Sequence, residues 1–318
     1  MGGSAGAVEG FRRIVRAFPA DLQAAVFIVL HIPMDLESML PRILSRAGPL
    51  PATHPMDGEP IQSGRIYVAP PDRHLTIEEG VVRVRRGPRE NRNRPAIDPL
   101  FRTAARVFGP RVIGVVLSGQ LDDGSAGLGA IRSRGGLAIV QDPKDASSSQ
   151  MPQSALQYGG ADHVLPVAEI GPCLVKLVNK CGGAMTKSNE RPDDAEQNRT
   201  AATPEESEGI PSTFSCPDCH GVLWELRNGD LVRFRCRVGH AYTMTSLAGE
   251  QEQAVENALW AAMRALEEKS ALNRRVADTT LTRGMAVRMR EQGETDHQHA
   301  EVLRKILFGE DKNAKSAD

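Results

Sequence analysis

Residues 112–127 read VIGVVLSGQLDDGSAG, an apolar run that ends in a small polar turn and reopens into a helix. The run 112–117 has the length and β-branched content of a strand buried on both faces. Glycines and an acidic pair, Asp122-Asp123, fill the turn that follows. From 125 to 134 the apolar positions switch to helical spacing. Strand, tight turn and helix in that order are the opening of a βαβ unit. The same order recurs on either side of it.

Further strands are predicted at 25–30, 65–69, 75–77, 81–84, 137–140 and 163–165. Helices are predicted at 8–17, 36–45, 99–107 and 167–177. This alternation predicts an α/β domain over 1–181, a three-layer, doubly wound, mainly parallel sheet. Strands 75–77 and 81–84, joined through Glu79-Gly80, read as an inserted hairpin. Composition breaks once: 182–213 is polar and acidic with almost no large apolar residue, so a disordered linker is expected there. Beyond it a small metal ribbon is expected over 214–245 and a helical hairpin over 246–309, with helices near 247–277 and 281–308. A disordered tail is expected over 310–318.

Composition excludes some classes of function. With 40% hydrophobic and 25% charged residues the chain reads as globular, and a net charge of -1 gives no global field for nucleic acid or anionic membrane. The longest apolar run, 24–32, is too short to span a bilayer, so no membrane insertion is expected. No secretory signal is visible. Five cysteines, three of them clustered, suit a reducing compartment with a metal site, and the expected location is the cytoplasm.

Three polar residues fall where strands of such a sheet end, the place where ligands gather. Ser4 lies in the turn GGSAG before the first helix, His31 directly follows the run AVFIVL, and Asp123 follows the strand of the opening stretch. A serine hydroxyl needs a base to take its proton, and the base needs an anion to orient it; these residues can supply that set. Backbone N–H groups of the Ser4 turn, Ala5 among them, could hold an oxyanion. The turn GGSAGA also has a phosphate-loop reading, but neither the full dinucleotide fingerprint nor a Walker lysine is present. Only Met1 and Gly2 precede the turn. The strand that should support it is therefore expected upstream of Met1, the alternative being weakened activity with neighbouring strand edges left unpaired.

Cys216 and Cys219 form a C-x2-C pair, and Cys236 and His240 a C-x3-H pair after a spacer of sixteen residues. Two close pairs of sulfur and imidazole ligands suit tetrahedral Zn²⁺, and four protein ligands make such a site structural. His220 is an alternative ligand, crowded by its neighbour Cys219. The bland reading is a set of reduced thiols in a small β-unit. Arg227, Arg233, Arg235 and Arg237 are interrupted by acids and lack an aromatic platform, so an interaction module is preferred to a nucleic-acid binder. His74 reads as part of the hairpin loop and Arg85-Arg86 as a solvated strand end. Cys173 and Cys181 read as core or helix-end thiols, and His297 and His299 do not share a helix face.

The motifs GGSAG, LHIP, RIYVAPPDRHL, NRNRPAIDPLFRTAA, VVLSGQLDDGSAG, QDPKDASSSQMPQSAL and ADHVLP resemble, in order and spacing, the catalytic domain of the CheB-type protein-glutamate methylesterases. The resemblance covers about 1–181 and implies a Rossmann-like methylesterase domain with Ser4 as nucleophile, His31 as base and Asp123 as its partner. It also implies an oxyanion contact from the N–H of Gln120, and an active-site loop containing Arg94, Pro95 and Asp98. Departures are Asp122 where asparagine is common, Gln120 where methionine is, Ala5 where threonine is, and Ala7 for a glycine. A phospho-receiver domain, present before many members, has no counterpart here. Segments similar to FSCPDC, LWE and FRCRVGHAY follow some methylesterase domains. The implied function is hydrolysis of glutamate methyl esters, with glutamine deamidation as a second activity, on methyl-accepting chemoreceptors. No cofactor is implied for catalysis; a separate receiver protein or a receptor methyltransferase is a further candidate partner. The alternative is a non-catalytic signalling scaffold acting through the ribbon and helices.

Overall fold

The computed structural model describes residues 1–34, 37–182, 209–228, 231–279 and 282–308. The chain divides into two compact units, Met1–Leu247 and Ala248–Asp318.

In the first unit the elements run β1 (Gly2–Gly3), α1 (Ala7–Arg16), β2 (Val26–Leu30), α2 (Leu40–Ala47), β3 (Ala52–Thr53), β4 (Ile66–Val68), β5 (His74–Glu78) and β6 (Val81–Arg85). They continue as α3 (Ile97–Phe108), β7 (Ile113–Val116), α4 (Ser125–Ser133), β8 (Leu137–Gln141), α5 (Gln150–Ser154), β9 (His163–Leu165) and α6 (Val167–Gly182). Seven strands form one parallel sheet in the order β3-β4-β2-β1-β7-β8-β9. From β1 the chain winds outward through β2, and after the hairpin it returns to β7 and winds the other way. The switch point lies between β1 and β7, where doubly wound sheets open a crevice at their carboxyl ends.

Alternate residues of each central strand serve opposite layers, as the two-residue period requires. Ile28 and Val115 pack with Phe11 and Ile14 of α1, Leu44 of α2 and Ile170 of α6. Val29 and Val116 pack on the other face with Leu100 of α3, Leu128 of α4 and Leu75 of the hairpin. The expected hairpin is β5–β6, antiparallel from His74↔Arg85 to Glu78↔Val81.

Several boundaries differ from expectation. Helix α2 starts at Leu40, later than the predicted 36, with Pro41 in its first turn, where a missing N–H costs nothing; Leu36 lies outside the described residues. Two-residue strands β1 and β3 and the short α5 carry too little periodicity to be read from sequence.

The support beneath Ser4 is also better than expected. Gly2 pairs with Val29 and Val116, and Gly3 with Leu30, so β1 fills the centre of the sheet at its carboxyl end. The Met1 ammonium is buried and donates to the Phe27 carbonyl at 2.7 Å; burial lowers its pKa from 8.0 to about 5. Beside Met1 a cavity of about 470 Å³ runs between the layers, lined by Val26, Phe27, Gly114, Val115 and Leu174 among others.

The linker expected over 182–213 lies outside the described residues at 183–208, and its end is instead part of the ribbon, whose first strand begins at Ile210. Strands β10 (Ile210–Ser215), β11 (Val222–Asn228), β12 (Leu231–Cys236) and β13 (Ala241–Thr243) form an antiparallel sheet in that order. Cys216, Leu223, Phe234, Cys236, Tyr242 and Leu247 make its small core. Helix α7 (Met244–Thr279) leads from the ribbon into the second unit.

In the second unit α7 packs against α8 (Arg283–Phe308). The seam carries polar contacts. Ser270 donates to the Gly293 carbonyl at 2.7 Å, and buried Asp296 accepts from Lys269 and Asn273 at 3.0 Å each. Met263 is buried, but Val255 and Met285 remain exposed. The tail over 310–318 lies outside the described residues. Among the described residues no helix is long and apolar enough to cross a membrane.

Candidate functional site

The loops after β1, β2 and β7, three adjacent strands, meet at the carboxyl end of the sheet. Ser4 is held from below: its N–H donates to the Ser118 carbonyl at 2.9 Å, and the His31 N–H donates to the Gly3 carbonyl at 3.2 Å. Gly6 caps α1 at φ 79, in the left-handed region that favours glycine, and a Cβ there would meet the Ser147 Cβ at 2.6 Å. Gly119 permits a second close approach, since its Cβ would sit 2.9 Å from that of Ser4. Ser118 braces the turn, its hydroxyl donating to the Ala5 carbonyl at 2.7 Å and accepting from the Ser148 N–H at 2.8 Å.

Asp123 faces His31. The distance from Nε2 to Oδ2 is 2.7 Å, and the side chains are 9% and 1% exposed. An ionised Asp123 is acceptor-only, so this contact puts the imidazole proton on Nε2 and leaves the Nδ1 lone pair free. Ser4 is partly exposed at the mouth of the site, and its hydroxyl has no hydrogen-bond partner among the described residues. Catalytic hydrogen bonds are commonly unmade before substrate arrives.

The carboxylate of Asp123 has three more donors. Oδ2 also accepts from the Ile97 N–H at 2.7 Å, and Oδ1 from the Asp98 N–H at 3.2 Å and Asn91 Nδ2 at 3.0 Å. Ile97 and Asp98 begin α3, so the carboxylate also meets the positive end of a helix. Burial pushes the pKa of Asp123 up, but the hydrogen bond and charge of His31, with the Ile97 and Asn91 donors, outweigh it and hold the group below its ordinary value. Asp98 behaves oppositely. Fully buried and next to the Asp123 charge, its carboxyl is raised to about 6, while it accepts from the Gly127 N–H at 2.7 Å and Asn91 Nδ2 at 2.9 Å.

The other candidates divide. No protein acceptor is found among the described residues for the N–H of Ala5 or of Gln120, so both donors remain available at the mouth. Arg94 is taken up elsewhere, pairing with Asp72 and donating to the Gly87 carbonyl at 2.7 Å. It braces the loop before α3 and contributes no free cation to the site. Asp122 is buried, and burial raises its pKa against the opposing hydroxyls of Thr243 and Thr245. Sequence reasoning missed Asn91, Ser118 and the ribbon residues Thr243 and Ser246. The polar residue ending the run VVLS was a usable signal for Ser118; the others depend on contacts between distant segments.

In the ribbon, one ligand atom from each of Cys216, Cys219, Cys236 and His240 lies within 4.8 Å of all the others. Cys219 and Cys236 Sγ are 3.6 Å apart, and His240 Nδ1 is 3.6 Å from Cys216 Sγ and 3.5 Å from Cys236 Sγ. A tetrahedral ion with bonds of ~2.3 Å to sulfur and ~2.0 Å to nitrogen sets ligand edges of roughly 3.5–3.8 Å. The four residues therefore fit a metal such as zinc. Tyr242 supports them from outside, donating to Asp218 at 2.6 Å with its oxygen 3.5 Å from Cys216 Sγ. His220, at φ 59, stays outside the cluster.

Fold and site together define a doubly wound α/β domain with a serine, a histidine–aspartate pair and free backbone donors at its switch point. Residues 1–174 match the family model described as CheB methylesterase. A Leptospira interrogans relative, provisionally named protein-glutamate methylesterase/protein-glutamine glutaminase, is 37% identical over 56% of this chain and 92% of its own length. A Pyrococcus horikoshii protein-glutamate methylesterase/protein-glutamine glutaminase is 34% identical over 55% of this chain and 49% of its own length. The CheB methylesterase catalytic domain of Thermotoga maritima superposes with a TM-score of 0.53 at 30% identity, covering 55% of this chain and 95% of that one. The chain belongs to the CheB methylesterase family.

Proposed function

We propose that the chain is a protein-glutamate methylesterase that demethylates γ-glutamyl methyl esters on methyl-accepting chemoreceptors, with deamidation of glutamine as a second activity. The observation that carries this reading is the buried His31–Asp123 pair at 2.7 Å beside Ser4, at the switch point of the sheet. Ser4 Oγ attacks the ester carbonyl while its proton passes to His31 Nδ1. Asp123 keeps the Nε2 proton in place and stabilises the imidazolium. The N–H groups of Ala5 and Gln120 hold the oxyanion. The imidazolium then protonates the departing methoxide, releasing methanol and leaving a glutamyl-Ser4 ester. Water, deprotonated by His31, attacks that ester; collapse regenerates the Ser4 hydroxyl and yields the receptor glutamate.

In this reading the methylesterase domain is followed by a ribbon held by structural zinc on Cys216, Cys219, Cys236 and His240, and by the helical hairpin. The ribbon and hairpin serve partner binding, a separate receiver protein or a receptor methyltransferase being the candidates. The site of action is the cytoplasmic end of the receptor. Methanol release from a methylated receptor fragment tests the reaction. Ser4→Ala is expected to reduce it at least a thousand-fold without loss of folding; undiminished release would sink the proposal.

A further inference from the structure

Asn91 lies in the turn before α3 and has no part in the reaction as written. Its backbone adopts φ 49, which asparagine tolerates better than most residues, and it is 3% exposed. Both ends of its side chain are used. Nδ2 reaches Asp123 Oδ1 and Asp98 Oδ2, at 3.0 and 2.9 Å. Oδ1 accepts from the Thr243 N–H at 3.3 Å and the Ser246 hydroxyl at 3.5 Å. The amide orientation follows from these partners, since two carboxylates need the donor end and a backbone N–H needs the acceptor end. Aspartate would match the shape but set a third carboxylate against the other two.

The partners of Oδ1 belong to the ribbon, and the backbone joins the same two segments. The Asn91 N–H donates to the Ala241 carbonyl at 2.8 Å, and the Ala241 N–H donates to the Arg89 carbonyl at 3.2 Å. Strand β13 thus continues as a parallel bridge, Glu90↔Ala241. Glu90 adds charge to the joint, pairing with Arg102 of α3 at 2.7 Å and facing Arg233 of β12 at 3.8 Å. Ala241 directly follows His240, one of the four clustered ligands, and the His240 carbonyl accepts from the Cys236 N–H at 3.0 Å. Hydrogen bonds and one stretch of backbone therefore run without a gap from the cysteine–histidine cluster to the Asp123 carboxylate.

We propose that Asn91 is a positioning residue for Asp123, and that the ribbon holds Asn91 in place, so that loading of the Cys216–Cys219–Cys236–His240 cluster with a zinc-like divalent ion sets the competence of the Ser4 site. Without the ion, His240 loses its fixed position and β13 its hold on the turn. The Asn91 amide is then no longer held where its Nδ2 reaches both carboxylates, and Asp123 loses a donor that fixes it towards His31. The activity measurement rests on the hydrolase reading above; a measurement on the histidine proton does not.

The test uses the full chain. The low-field proton resonance of His31 Nε2–H is recorded in the Ser4→Ala protein with zinc bound, after chelation, and after zinc is returned. Expected is a shift or loss on chelation and recovery on reloading. In the chain with Ser4 intact, chelation is expected to lower kcat about ten-fold with KM little changed, and Asn91→Ala with zinc bound to reproduce that loss and make kcat indifferent to chelation. Ser246→Ala removes one Oδ1 contact and should give an intermediate resonance shift while retaining the metal. Should the metal-free chain unfold, the two zinc-loaded variants decide. An unchanged resonance and an unchanged kcat in Asn91→Ala, or full activity in verified metal-free protein that remains folded, overturns the proposal.

Discussion

Replacing Asp123 by asparagine tests the electrostatics of the site with almost no change of shape. The carboxylate has four donors, two at 2.7 Å on Oδ2 and two at 3.0 and 3.2 Å on Oδ1. The new amide has one acceptor, which the closer donors, His31 Nε2 and the Ile97 N–H, should claim. Its NH2 group then faces Asn91 Nδ2 and the Asp98 N–H, donors against a donor, at a cost of about 1–3 kcal/mol in stability. The imidazole keeps its proton on Nε2 and remains able to accept at Nδ1. What is lost is the attraction between carboxylate and imidazolium, about 4 kcal/mol at ~4 Å between charge centres and an effective dielectric of ~20. That corresponds to roughly a thousand-fold in kcat. Methanol release under saturating substrate, with the denaturant midpoint measured alongside, gives both quantities. A variant within ten-fold of the parent kcat would show that Asp123 does not stabilise the imidazolium, and the assignment of the site would fail.

Asp98 should appear as a carboxyl titrating near pH 6 in infrared or carbon-detected NMR spectra, since burial and the Asp123 charge raise it to about 6. Its pKa should fall in Asp123→Asn and the signal vanish in Asp98→Asn. A pKa raised from 3.8 to about 6 means that the folded state holds the proton more tightly, so this contribution is complete below pH 3.8 and lost by pH 6. Asp98→Asn should therefore gain about 3 kcal/mol relative to the parent between those limits; a flat difference with pH would contradict it. Gly6→Ala combines φ 79 with a 2.6 Å approach to Ser147, and a loss of about 1–3 kcal/mol is expected on denaturant unfolding. The cluster should hold about one zinc per chain by elemental analysis, and Cys236→Ser should bind it markedly less tightly; reduced protein without zinc refutes the ribbon as a metal site.

The parallel sheet was legible because β-branched runs such as 112–117 alternate with amphipathic stretches, and such strands need helices on both faces. The positions of His31 and Asp123 were legible because each sits in a proline- or glycine-marked turn after a strand-like run, and that of Ser4 because it lies in a glycine-flanked turn before a helix. The clustering of Cys216, Cys219, Cys236 and His240 was legible because these residues come in two close pairs. Strand β1 was not, since two glycines carry no pattern and become a strand only because β2 and β7 lie on either side. The polar contacts of α7 and α8 were not legible, because nothing local in the sequence reveals that Asp296 and Ser270 find partners across the seam. The sequence placed Arg94 in the loop before α3 but did not show its pairing with Asp72.

By itself the sequence determined which residues are available for chemistry and the alternation of strands and helices around them, because those follow from local periodicity and turn residues. Only the tertiary structure decided which of those residues act on one another. The donors on Asp123 come from the ends of separate segments, and the Asn91 link to Thr243 spans 152 positions. No local pattern encodes such a contact. It exists because buried polar groups must find partners, and the packing of distant segments determines which partners are within reach.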